Sequence, residues 1–411
     1  MVVFKEINSI SIIGLGYVGL PTAAILADSG FKVFGIDINE ELVSSLNKGI
    51  LKFEEKNLFK LFNKNIKSGN LQISSRLHTT DAYIICVPTP CNEDKKADLA
   101  FLNNAVENIS KKIKNSSIVI IESTIPVGTT EFFRSKMLDL ISNRGINDIY
   151  FAHCPERVLP GNAVFEIINN DRVIGGIDSD STKLAASIYE RFSKGNIFLT
   201  FAKVAEMVKL AENTFRDVNI ALANQYSIIA NKFNIDVNEV INLANKHPRV
   251  NIHNPSIGVG GHCIPIDPNF LIENYKEDLN LIKIARLTNQ NMELLITEKI
   301  SEYIDKTLHC NLPIYLYGLT YKKNVNDFRE SPAIRIAKSL GLKYSNKKFF
   351  LIDPFFEKDL DENNLFFRRD ITNLENSLFF ILVKHIKLKK EIFDKNDFDK
   401  KNIIDLSNGL F

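Results

Sequence analysis

An apolar run at residues 10–13 breaks into GLGYVG, with glycines at Gly14, Gly16 and Gly19, and this pattern narrows the fold more than any other in the chain. The helix-forming segment TAAILADSG follows, and a second apolar run, residues 32–36, ends in Asp37 about 20 residues downstream. GxGxxG alone is a weak signal. Set between a strand and a helix, with an acid closing the next strand, it is a complete dinucleotide-binding fingerprint. The first glycine makes the tight turn, the second admits a pyrophosphate, and the third lets helix pack on strand, with the helix N-terminus facing the phosphates. Asp37 would accept hydrogen bonds from a ribose diol and repel a 2′-phosphate, which predicts NAD rather than NADP.

Strand and helix alternate after Asp37: a helix at 40–48, a strand ending at Ile73, the buried run AYIICVPTP at 82–90, a helix at 99–114 and the strand SIVIIESTIP. Such alternation predicts a mostly parallel, doubly wound sheet that collects ligands at the carboxyl ends of its strands, where Thr89 and Thr124 stand. Ordinary turn threonines are the other reading of these two. From about Lys203 the period becomes helical through residues 204–233 and 237–247, placing Lys209, Asn213 and Arg216 on one face with Asp217 a step further round. A solvated face is the usual meaning of such a seam. The last third restarts the alternation with LPIYLYGLTYK, a helix at 332–340, KKFFLIDP, NSLFFILV and NIIDLSN, and carries no glycine fingerprint. The fold class expected is α/β, two Rossmann-like doubly wound sheets joined by a central helical region. The expected division is a dinucleotide domain at 1–200, a central segment at 201–300 and a second sheet domain at 301–411.

A second signal is GVGGHCIPIDP at 258–268, which sets Cys263 in a glycine-rich turn four residues before Asp267. Glycines let the backbone approach a ligand and aim amides at an anion, and His262 with those amides would lower the thiol pKa. A buried structural cysteine is the alternative. The 411 residues carry five cysteines, Cys86, Cys91, Cys154, Cys263 and Cys310, with no CxxC pair and no zinc-ligand spacing, so a reducing compartment is expected and a metal is not. A net charge of +2 argues against a nucleic-acid partner held on a broad basic surface. No apolar run is long enough to span a bilayer and no signal peptide precedes the first strand, so a soluble cytoplasmic protein is expected.

These motifs together resemble the UDP-glucose/GDP-mannose dehydrogenase family over nearly the whole chain. The resemblance rests on GLGYVGLPTA at Gly14, VPTP at Val87, ESTIPVGTT at Glu122, CPERVLPG at Cys154, NDRVIGG at Asn170, AEMVKLAENTFRDVNIALAN at Ala205, NKHPRVNIH at Asn245, GVGGHC at Gly258 and DFRESPA at Asp327. CPERVLPG, ENTFRDVNIALAN and HPRVN look like the UDP-N-acetyl-D-mannosamine branch, and Pro160 stands where the UDP-glucose enzymes carry a second acid. The resemblance implies a four-electron oxidation of a UDP-sugar at C6, alcohol to aldehyde to carboxylate, with two NAD in turn, in the supply of surface polysaccharide precursors. It implies Cys263 as nucleophile, Lys209 and Asn213 on the oxyanion and alcohol proton, and Asp267, Glu156 and Thr124 around the hydrolytic water. The residue chemistry agrees, because an aldehyde must become a tetrahedral alkoxide before it can lose a hydride.

By position, Tyr17, Val18, Asp37, Thr89, Thr124 and Arg329 match the family's NAD contacts. Arg157, Val158, Lys209, Asn213, Arg216, His247, Arg249, Gly260, Tyr321 and Lys322 match its substrate contacts, and the Arg and Lys groups suit a diphosphate. His247 and Arg249 also read as a solvated loop. The resemblance further implies a homodimer or higher oligomer made by the central helices, with Arg249 reaching the neighbouring subunit's site. Two departures stand out: Ser256 and Ile257 replace Pro-Gly before GVGGHC, and KHIKLKK at Lys384 stands where an acid is common. The competing readings are a UDP-N-acetylglucosamine 6-dehydrogenase and, more remotely, a non-catalytic NAD-sensing protein.

Overall fold

Ile12 on the first strand pairs with Gly35 on one side and Ile84 on the other, so the order of the first sheet reverses beside the glycine loop. The computed structural model describes residues 6–53, 55–158, 161–275, 279–307, 312–369, 377–388 and 403–410. Pro160 and Cys310 lie outside the described residues, as does the end of the KHIKLKK run. The chain divides into two compact units, Met1–Ala211 with Asn269–Asn274, and Glu212–Pro268 with Tyr275–Phe411.

In unit 1 the elements run β1 (Ser9–Ile13), α1 (Gly19–Asp28), β2 (Lys32–Ile36), α2 (Glu40–Asn47), α3 (Leu58–Ser68), β3 (Leu71–Ser74), β4 (Ala82–Ile85), α4 (Ala100–Ser110) and β5 (Ser117–Ile121). They continue with α5 (Thr129–Ile141), β6 (Ile149–His153), α6 (Ala163–Asn169), β7 (Arg172–Gly176), α7 (Ser179–Tyr189) and β8 (Ile197–Phe201). The sheet order is β3-β2-β1-β4-β5-β6-β7-β8, with every pairing parallel except β6 with β7. Its first six strands follow the doubly wound dinucleotide order, whose ligand crevice opens at the carboxyl ends of β1 and β4. Strands buried on both faces explain the apolar runs: Ile10, Ile12, Ile84, Ile118 and Ile120 on one face and Tyr83, Ile85, Val119 and Ile121 on the other are all fully buried. The helix expected at 99–114 stops at Ser110. The chain there tightens into bonds from Lys112 and Ile113 N–H to the Ile109 carbonyl and turns through Ser116 in a left-handed conformation.

The long helix α8 (Ala202–Phe233) contains the boundary between the units, and α9 (Val237–Ala244), α10 (Asp267–Asn274) and α11 (Asn280–Lys306) follow. Unit 2 then builds β9 (Ile314–Tyr317), α12 (Pro332–Lys343), β10 (Phe349–Ile352), β11 (Leu360–Glu362), β12 (Leu365–Arg368), β13 (Leu378–Ile381) and β14 (Ile403–Asp405). Its order, β11-β12-β10-β9-β13-β14, is parallel apart from the β11–β12 hairpin. That hairpin is absent from the sequence reading because β11 is wholly exposed and reads as the polar run LDE. Ile296, Ile300, Ile336, Leu340, Phe349 and Phe380 build the unit-2 core from α11, α12 and the sheet.

Candidate active site

The three glycines of the unit-1 fingerprint loop each meet a different constraint. Gly14 has φ +92°, and a Cβ there would lie 2.8 Å from the Cys86 carbonyl oxygen. A Cβ on Gly19 would collide with the Gly14 carbonyl oxygen, whereas one on Gly16 would meet nothing within 4 Å. The first fixes the turn, the third sets how closely α1 packs, and the second leaves room for a ligand. Gly16 opens onto a cavity of about 860 Å³ also lined by Gly14, Asp37 and Val87. Val18, at the N-cap of α1, makes no side-chain cap, so the helix dipole is left to an anion. Asp37 is held at the end of β2 by N–H groups of Leu15 (2.8 Å) and Asn39 (2.9 Å). Beyond β4, the Thr89 hydroxyl donates to the Thr124 carbonyl at 2.7 Å, joining two of the expected cofactor residues. Tyr17 turns another way: its hydroxyl donates to Glu55 at 2.9 Å and accepts the N–H of Gly161.

At the carboxyl ends of β4 and β5 lies a buried ionisable network whose members stand in separate motifs of the sequence. Glu122 accepts from the Tyr189 hydroxyl at 2.7 Å and from the Cys86 thiol at 3.2 Å. Burial pushes its carboxyl up to about 7, the charge of Glu156 adding to this and the Arg172 guanidinium opposing it. Glu156, expected near the hydrolytic water, is ion-paired with Arg172 at 3.2 Å and accepts the Arg157 N–H at 2.7 Å. Arg157 also reaches the Asp171 carbonyl at 3.4 Å, and Val158 packs on the core. His153, just before this segment, is fully buried and pushed down to about 3 by burial, with the nearby Lys209 charge contributing. It therefore stays neutral at ordinary pH.

In unit 2 the glycines before Cys263 are walled in. A Cβ on Gly258 would lie 3.0 Å from Glu293 Cγ, one on Gly261 would lie 2.9 Å from the Tyr321 ring, and one on Gly260 would strike the Glu330 carbonyl. Cys263 itself is exposed, which excludes the buried structural thiol. Its carbonyl accepts from the Asp267 N–H at 2.9 Å, starting α10, and the buried Asp267 carboxylate accepts from Asn213 Nδ2 at 2.5 Å. Asn213 of α8 and Asp267 thus form one unit four residues from the thiol. His262 is not the cation expected beside it: partial burial and then the Arg329 charge push its pKa below the usual imidazole value. The positive charge comes instead from Arg329, close enough to interact with Cys263 and held by Asp327 through Nε (2.9 Å) and Nη2 (2.7 Å). Arg216 contributes charge near Tyr321 and His253.

The α8 polar seam is thus not a solvated face throughout: Asp217 is fully buried and bonded to Arg286 and, at 2.8 Å, to Asn289. His247 and Arg249 are exposed after α9, with the Arg249 N–H donating to His247 Nδ1 at 3.3 Å. A separate unit-2 cavity of about 360 Å³ is lined by Gly258, Tyr321, Lys322, Lys323 and Lys384, a basic rim suited to phosphates. Among the described residues no cluster of His, Cys, Asp and Glu could hold a metal ion, and no helix is long and apolar enough to cross a membrane.

Family comparisons agree with this geometry. The UDP-glucose/GDP-mannose dehydrogenase family matches through its NAD binding domain at residues 8–193, its central domain at 203–291 and its UDP binding domain at 315–409. The UDP-N-acetyl-D-mannosamine dehydrogenase of Methanocaldococcus jannaschii is 47% identical, over 96% of this chain and 88% of its own. An NDP-N-acetyl-D-galactosaminuronic acid dehydrogenase of Ralstonia solanacearum is 39% identical over 82% of this chain and 80% of its own. The solved UDP-D-ManNAc dehydrogenase from Pyrococcus horikoshii superposes with a TM-score of 0.87 at 38% identity, covering 97% of this chain and 95% of that one. With all three family domains matched, the chain belongs to the UDP-glucose/GDP-mannose dehydrogenase family and is an NAD-dependent dehydrogenase.

Proposed function

We propose that this enzyme oxidises UDP-N-acetyl-D-mannosamine at C6 to UDP-N-acetyl-D-mannosaminuronate, a precursor for surface polysaccharide. The observation that carries the reading is the exposed Cys263, beside the Arg329 charge and next to a carboxylate fixed by Asn213. The Gly14–Gly19 loop and Asp37 of unit 1 would hold NAD, which would supply the hydride acceptor for each of the two oxidations. Lys209 takes the alcohol proton and steadies the oxyanion with Asn213. The Cys263 thiolate adds to the aldehyde carbon, forming a C–S bond and an alkoxide; loss of hydride leaves a thioester. Asp267 draws a proton from water, whose oxygen attacks the thioester carbon; the C–S bond breaks and carboxylate and thiol leave. With Pro160 in place of a second acid, Asp267 is the base assigned here, and Thr124 positions the water. Glu156, committed to Arg172, acts through that ion pair.

Arg157, Val158, Arg216, His247, Gly260, Tyr321 and Lys322 bind the UDP-sugar, and Arg249 serves the partner subunit of a homodimer. The exposed apolar stripe Phe215, Leu222, Ile229 and Phe233 on α8 supports such an assembly. Mixing Arg249→Ala with Cys263→Ala subunits tests it, since hybrid dimers regain activity only if that arginine crosses the interface. The names of the relatives support the mannosamine epimer, and an acetamide bonded in the axial position would leave polar groups unpaired with the equatorial epimer, a difference of roughly 1–3 kcal/mol.

The deciding experiment counts NADH per sugar and compares UDP-N-acetylmannosamine, UDP-N-acetylglucosamine and UDP-glucose in steady-state kinetics. About two NADH per sugar, and none of the uronate from Cys263→Ala despite intact NAD binding, are expected of the thiohemiacetal route. One NADH with free aldehyde would overturn the chemistry, and a preference for another sugar would overturn the substrate alone.

A further inference from the structure

Three unit-2 strands, β9, β10 and β13, run parallel and end on the same edge, and each hands a polar residue to one buried cluster. Thr320 follows β9, Asp353 follows β10 and His385 follows β13, and all three are at most 2% exposed. The Asp353 carboxylate accepts N–H groups of Leu319 (2.7 Å), Thr320 (3.2 Å) and Phe355 (2.9 Å). His385 completes it: Nε2 lies 3.2 Å from Asp353 Oδ2 and 3.3 Å from Thr320 Oγ1, and Nδ1 lies 2.9 Å from the Asn324 nitrogen. A backbone N–H can only donate, so Nδ1 is bare and Nε2 carries the proton, an assignment made from the hydrogen bonds. The Thr320 hydroxyl spends its own proton on the Lys322 carbonyl at 3.0 Å and therefore accepts from the imidazole. Asn324 answers from the other side, its Oδ1 accepting the Ile386 N–H at 2.8 Å.

Residues 321–323 are thus tied at both ends to the turn after β13, and they carry Tyr321, Lys322 and Lys323 onto the rim of the 360 Å³ cavity. We propose that His385 is a positioning residue, a latch that holds this loop in the shape that receives the diphosphate of the UDP-sugar. The proposal rests on reading that cavity as the nucleotide end of the substrate site. An unlatched loop must be ordered each time the ligand binds, and that entropy is subtracted from affinity. The latch touches no reacting atom, so its loss appears in binding and leaves the chemical step alone.

Two substitutions separate the ring nitrogens. His385→Asn keeps an acceptor near Nδ1, while His385→Gln keeps a donor near Nε2 and leaves the Asn324 N–H unpaired. Calorimetric titration of the full chain with UDP is expected to show His385→Gln weakened about tenfold, the loss typical of one orphaned buried donor. KM for the sugar nucleotide should rise by the same factor with kcat within about twofold, and His385→Asn should restore binding to within about threefold of the unmodified protein. Asn324→Gly suits the left-handed φ of +61° and removes only the bond to Ile386, so it decides the matter if the His385 variants fail to fold; about threefold weaker binding is expected. Unchanged UDP affinity in folded His385→Gln or Asn324→Gly would overturn the latch, as would equal losses in His385→Asn and His385→Gln. Failure of the unmodified protein to bind UDP would instead overturn the reading of the cavity on which the latch depends.

Discussion

Glu122→Gln offers a sharp test of the buried network at the carboxyl ends of β4 and β5. Glu122 is 3% exposed and burial raises its carboxyl from 4.5 to about 7, so the folded protein holds a proton there that the unfolded chain releases near pH 4.5. Stability then falls as pH rises between those two values and stays reduced above the folded pKa, because the charged carboxylate is the disfavoured form in the fold. A shift of this size, summed between pH 5 and pH 8, amounts to about 2 kcal/mol. Glutamine keeps an acceptor for the Tyr189 hydroxyl and never ionises. The stability difference, variant minus unmodified protein, should therefore grow in the variant's favour by about 2 kcal/mol from pH 5 to pH 8. Urea titrations at each pH, read by amide exchange in peptides covering β4 and β5, measure this unit directly. Parallel pH profiles for the two proteins would refute the raised carboxyl.

Gly19→Ala should abolish NAD binding and destabilise unit 1, since the added Cβ meets the Gly14 carbonyl oxygen, whereas Gly16→Ala, with open space around it, should leave stability intact and impair NAD binding; fluorescence titration and thermal melts separate the two. Asp37→Ala should weaken NAD and narrow its advantage over NADP, as it removes both the ribose acceptor and the partner of Leu15 N–H; the ratio of kcat/KM for the two cofactors reads this. Arg286→Ala, which strands the buried Asp217, should cost about 3 kcal/mol in urea unfolding, with part recovered by adding Asp217→Asn.

Local signals carried most of what the sequence disclosed. The glycine loop, α1 and Asp37 lie within one strand–helix–strand unit, where turn chemistry and apolar runs fix the geometry, and the cysteine turn was visible for the same reason. The Glu122, Tyr189 and Arg172 cluster was not, because its members come from the end of β5, from α7 and from β7, and no motif spans that separation to show that they meet. Asp217 and Arg286 stand 69 residues apart, so the α8 seam could not be told from a solvated face until α11 was placed against it. His262 does not carry the positive charge beside the thiol; Arg329, more than sixty residues on, does, and the DFRESPA motif that contains it does not by itself show that it lies near Cys263.

The glycines before Cys263 are usually a mark of mobility, yet here every one is backed by another element: Gly258 by Glu293 of α11 and Pro332 of α12, Gly260 by Glu330, and Gly261 by Tyr321. Glycine surrenders more backbone freedom on folding than any other residue, so the turn has little order of its own. What rigidity it has is lent by α11, the start of α12 and the loop after β9. The thiol's segment should accordingly share an opening event with those neighbours, their amides exchanging together as one cooperative block. Loosening α12 would then disarm the cysteine without touching it.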